Sequence, residues 1–114
     1  MSGAVMVLST GRPTLAASVL PTGLSATRFG AGTAVTLQTA VTTVVGGVPP
    51  YTYLWTLVSG DTEIGPISGT SASTQFSGYF TGPDSYLTVY KCVVTDAAAV
   101  SVDSNSITIE MEAN

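Results

Sequence analysis

Apolar and polar residues alternate along most of this chain, and glycine or proline interrupts the alternation at short intervals. Val, Ile and Thr are dense and helical spacing is almost absent, the pattern of many short strands joined by turns. Residues 1–14 read as an arm or a first edge strand, ended by Gly11, Arg12 and Pro13. A strand over 15–20 stops at Pro21 and resumes over 22–28 after a kink, and residues 29–32 turn. Residues 34–45 give the longest strand signal. Period two predicts Val35, Leu37, Thr39, Val41, Thr43 and Val45 on the core side, with Thr36, Gln38, Ala40 and Thr42 opposite. Residues 46–50 turn into a strand over 51–58, with Tyr53, Trp55 and Leu57 on one face, and 59–61 end it. A short strand over 64–67 comes next, then one within 70–80 with Thr74 and Phe76 inward, and a turn at 82–84. The strand over 86–95 places Tyr90, Cys92 and Val94 together. After a hairpin turn at 96–99, the last strand over 105–111 points Ile107, Ile109 and Met111 inward.

This strand count in 114 residues predicts one all-β domain, an immunoglobulin-like sandwich of about seven to eight antiparallel strands. The division is an arm over 1–14 and a sandwich over 15–114; a single barrel is the alternative. The core pattern of that sandwich is visible in Trp55 on one strand and Tyr90-x-Cys92 on a later one. The tryptophan would plug the space between sheets, and the Tyr90 hydroxyl would bond upstream backbone. Tyr53, Val41, Phe76 and Ile107 complete the expected core. Cys92 is the single cysteine, so no disulfide forms within the chain. The usual partner would fall near Thr39 or Val41, and Cys92 becomes a small buried hydrophobe.

Charge sharpens the picture by exclusion. Charged residues make up 9% of the chain and the net charge is −4. The three basic residues, Arg12, Arg28 and Lys91, lie far apart, which argues against nucleic acid and against a polybasic membrane contact. No apolar run reaches membrane-spanning length. Residues 1–8 are mildly apolar without a basic leader, so the expectation is a whole gene product made without a signal peptide in a reducing cytoplasm. So sparse a charge suits a subunit packed against others, or equally a monomer wetted by Ser and Thr hydroxyls.

The chain has no histidine, which removes the common general base and the commonest metal ligand. Cys92 then has no imidazole to activate it. Asp61, Glu63, Asp84, Asp96 and Asp103 fall in turns or at strand ends, where carboxylates bond backbone amides. A calcium site from Asp96 and Asp103 is the minor alternative. Gly46-Gly47 is followed by no lysine, so it is not a phosphate loop. Glu110 and Glu112 would guard an edge on the last strand, and Tyr51, Tyr79 and Tyr86 are candidates for a glycan-contacting patch. The expectation is no catalytic residue, no cofactor and no metal.

Three stretches carry a family resemblance: residues 44–61 (VVGGVPPYTYLWTLVSGD), 74–77 (TQFS) and 90–98 (YKCVVTDAA). They resemble immunoglobulin-like domains of tailed-bacteriophage structural proteins, in register over roughly residues 20–111. That pattern has glycine where this chain has Ala99, so a differently shaped turn is expected there. The first half also resembles PKD-type surface domains, without their FGDG-like turn. The phage resemblance implies a non-enzymatic virion subunit, a decoration or accessory protein on capsid or tail. It would be made in the host cytoplasm, form homo-oligomers and contact other virion proteins. Val5, Met6, Val7 and Leu8 are the candidate docking arm. The alternatives are a weak glycan or cell-surface binding module and an extracellular PKD-like adhesin domain.

Overall fold

A computed structural model describes residues 13–114. Val5, Met6, Val7 and Leu8 lie outside the described residues. Eleven strand segments and no helix occur within them: β1 (Ala16–Leu20), β2 (Gly23–Arg28), β3 (Gly32–Val35), β4 (Ala40–Val45), β5 (Thr52–Gly60), β6 (Ile64–Pro66), β7 (Ser73–Thr74), β8 (Phe76–Phe80), β9 (Asp84–Thr95), β10 (Ser101–Asp103) and β11 (Ile107–Ala113).

The first sheet is organised on β9, whose twelve residues alternate strictly from Thr88 to Thr95 between buried and half-buried. β9 pairs antiparallel with β5 on one edge and with β11, then β10, on the other. β2 joins β11 in parallel, from Gly23↔Thr108 to Arg28↔Ala113. The second sheet consists of two ladders, β1-β4-β7 and β3-β8-β6. They are halves of one sheet, because β3 and β4 are successive pieces of one strand, as are β7 and β8. Thr36 joins the halves: its N–H donates to Phe76 O (2.9 Å) and its Oγ1 accepts from Phe76 N–H (3.1 Å). Seven strands in two sheets result, with β10 and β11 successive pieces of one strand along the same edge of β9, and β2 the part of the first strand that crosses over after Pro21. This is the immunoglobulin-like sandwich the strand pattern predicts.

Between the sheets lies an aromatic cluster. Phe76 is fully buried, meets Trp55 edge-on at 5.7 Å and Tyr90 at 5.1 Å; its burial contributes about 2–3 kcal/mol. Cys92 pairs with Trp55 across the β9–β5 ladder. The Trp55 indole donates to Ser71 O at 2.8 Å, and the Tyr90 hydroxyl donates to Ile64 O at 3.2 Å. The tyrosine thus does bond upstream backbone, on a strand of the facing sheet. Ile107, Ile109, Met111, Thr74 and Val94 are buried as expected, and Tyr53 packs half-buried at the core margin.

The expectation for residues 34–45 is reversed. The strand is broken at 36–39, and its even positions Ala34, Thr36, Ala40 and Thr42 are buried, while Val35, Leu37, Val41 and Val45 are exposed. Val41 is therefore a surface residue and not part of the core. The cause is volume: Trp55, Phe76 and Tyr90 fill the space between the sheets, leaving room on this strand for small side chains only.

Three open edges of the sandwich carry a local seal. The Asn105 side chain accepts from Val19 N–H (2.8 Å) and donates to Val19 O (3.1 Å), taking the place of a neighbouring strand on the open edge of β1. On β2, Ser25 O accepts from Leu37 N–H and Ser25 N–H donates to Gln38 Oε1, both at 3.2 Å. The break at 36–39 is thus the segment that closes β2. On β5, Trp55 N–H donates to Gly69 O at 2.9 Å. Glu110 and Glu112 do not guard an edge: β11 lies between β9 and β2, and they project from its outer face.

Candidate interaction surface

The structure commits the polar groups near each candidate chemical site to holding the fold. Asp96 Oδ1 accepts from Ala98 N–H and Val100 N–H, both at 2.9 Å, and its Oδ2 accepts from Val48 N–H at 3.0 Å. Asp103 pairs instead with Lys91 at 2.8 Å. The two carboxylates of the calcium alternative therefore serve different partners, and no metal-binding group of three or more His, Cys, Asp or Glu occurs among the described residues. Ala99, in the turn Asp96 organises, takes φ 65°, the left-handed region that glycine enters without steric cost. Gly46 and Gly47 also have positive φ, and a side chain at Gly46 would strike the backbone of Thr14. Tyr51 donates to Gly46 O at 2.6 Å and belongs to that turn. Tyr86 stacks on Phe80 at 4.5 Å near the opposite end of β9, beside Tyr79. The three tyrosines do not share one patch.

Cys92 is free and fully buried, and burial pushes its thiol up, against smaller opposing contacts from Thr42 and the Leu54 backbone. The side chain across from it is thus Thr42, and neither Thr39 nor Val41 occupies the partner position. Thr42 Oγ1 is buried without a hydrogen bond of adequate geometry, alone in this among the described side chains.

Two surface regions remain. The first is an open groove of about 380 Å³ on the outer side of β2, β11 and β9, whose walls include Ser25, Thr27, Asp61, Tyr86, Glu110 and Glu112. It is acidic. The Tyr86 hydroxyl is pushed up there by burial first and then by Asp84, Glu63 and Asp61. Neither described basic residue serves it: Arg28 donates to Gly30 O, Ala31 O and Thr33 O within its own turn, and Lys91 holds Asp103.

The second is the outer face of the β1–β4 sheet. Leu20 (68% exposed) pairs with Val41 (46%), Val45 (58%) lies one end further on, and Val35 and Tyr79 continue the exposed set on β3 and β8. Between them stand Ala, Ser, Thr and Gly. No outward position on this sheet's described strands carries a charge. The other sheet's outer face carries Lys91, Asp103, Glu110 and Glu112. Sequence reading missed this face because it assigned Val35, Val41 and Val45 to the core; the signal available was the equally regular set of small residues at the even positions.

No family model matches the chain, and neither does any curated protein. Among solved structures it is similar to a conjugative transposon lipoprotein from Bacteroides eggerthii DSM 20697, with 13% identity, 83% of this chain and 95% of that chain covered, and a TM-score of 0.42.

Proposed function

We propose that this chain is a non-enzymatic, immunoglobulin-like structural subunit of a tailed-bacteriophage virion, seated on capsid or tail among other virion proteins. The observation that carries the reading is the uncharged outer face of the β1–β4 sheet. A strand that turns its valines to solvent and its threonines to the core gains by having that face covered, as it is in an assembly. The resemblance of residues 44–61, 74–77 and 90–98 to phage structural domains supplies the kind of assembly. The non-enzymatic part rests on a chain without histidine whose acidic groove lacks a described cation partner. A glycan-binding role has less support, because Tyr51 and the pair Tyr79 and Tyr86 lie far apart.

The test is composition. Virions of the phage that encodes the chain, purified by density gradient, contain it at fixed copy number, and Val41→Asp prevents its incorporation. Purified virions that lack the chain overturn the proposal.

A further inference from the structure

We propose that residues 4–8 of one copy lie across the outer face of the β1–β4 sheet of a second copy. This rests on reading the chain as an assembly subunit, and it names the neighbour. The chain outside the described structure begins where that face ends. Ala16 pairs with Val45 at the end of the ladder, and Gly47 N–H donates to Pro13 O at 3.1 Å beyond it. Residues 13 and 14 therefore run along the strand axis and past the sheet, against Gly46. To cover its own face, the preceding segment must reverse fully between residues 8 and 13. Carried onward, it arrives on a neighbour.

Composition and length fit this occupant. Residues 1–11 contain no charged residue, and residues 4–8 read Ala-Val-Met-Val-Leu. An uncharged apolar segment meets an uncharged apolar face, so neither partner strips water from an ion. Residues 4–8, extended, and residues 41–45 each cover four steps, about 13 Å. The sealed edges decide how the segment binds. Asn105 occupies the polar groups of Val19 on the edge of β1, so the arm seats by side-chain contact on Leu20, Val41 and Val45 and not by extending the sheet as an added strand.

The test is complementation between two full-length variants. Val5→Asp with Val7→Asp spoils the arm and leaves the face; Val41→Asp spoils the face and leaves the arm. Sedimentation velocity at micromolar concentration shows the natural chain associating. Each variant alone associates on the order of 100-fold more weakly, the loss expected for a central apolar contact. Mixed in equal amounts they form a one-to-one heterodimer, because each supplies what the other lacks. Should Val41→Asp alter Trp55 fluorescence or melting, Thr43→Asp on the same exposed face replaces it. A natural chain that stays monomeric, association that survives in both variants, or mixed variants that do not combine each overturn the proposal; the first is the result for an arm folded on its own face. Virion composition is read separately, so heterodimers without virion incorporation sink the phage reading alone.

Discussion

Thr42 and Cys92 meet across the core at the place where an immunoglobulin-like domain commonly holds a disulfide. Here a hydroxyl without a hydrogen bond faces a protonated thiol. A buried hydroxyl left unbonded costs more than an apolar group of the same shape. Thr42→Val is therefore expected to stabilise the fold by about 1 kcal/mol, read as a higher urea midpoint at unchanged m. Cys92 and Tyr90 make the fold sensitive to base. Burial raises both above their ordinary values of 9.0 and 10.0, so both hold their protons more tightly folded than unfolded. Their contribution is complete below those ordinary values and is lost as pH rises through the folded ones. Melting temperatures followed from about pH 8 to about pH 11 should fall at the alkaline end, and Cys92→Val should move the onset up toward the tyrosine range. The burial of Trp55, Tyr90 and Cys92 was legible in the sequence because each lies in a strand with one decisively apolar face. Thr42 was not, since nothing local marks a threonine as buried.

At the scale of elements, strands β9 and β11 could be read directly, and β5 as far as Trp55; Leu57, expected on the face of Tyr53 and Trp55, is exposed beside the register shift between Val89 and Tyr90. Large apolar side chains occupy one phase of their alternation, and charged or hydroxyl residues occupy much of the other. The strand over 34–45 has two uncharged phases, valine and leucine against alanine and threonine. Periodicity locates such a strand without orienting it; the orientation is settled by which neighbours have already filled the core. The edge seals were also hidden, because Asn105, Gln38 and Leu37 act on strands far from them in sequence. Asn105 carries a testable load. Asn105→Ala removes both bonds to Val19 and is expected to cost about 1–2 kcal/mol, measured by urea unfolding. It also frees the β1 edge for pairing with another chain, which light scattering of the folded variant would register. An unchanged midpoint would show that water replaces the amide at no cost.

On the scale of the whole molecule, the charged residues of the described strands all lie on one sheet, while exposed apolar side chains occur on both, Leu54 and Leu87 among them on the charged sheet. Contact through the uncharged face has little Coulombic content, so self-association should change less than about threefold between about 0.05 and 0.5 M sodium chloride. Sulfate, which strengthens apolar burial, should tighten it. Steep weakening with sodium chloride would point to the acidic groove as the contact instead. The parallel pairing of β2 with β11 has a mechanical consequence. Its rungs run from Gly23↔Thr108 to Arg28↔Ala113, and the ladder is extended at its ends by Thr108 N–H on Thr22 O and Asn114 N–H on Arg28 O. A pull that draws the start of β2 and the end of β11 in opposite directions runs along the strands, so the rungs are loaded in shear together. No rung can be peeled ahead of the rest, and a subunit tethered at one end and tugged at the other would resist as a bolt does, not as a zip.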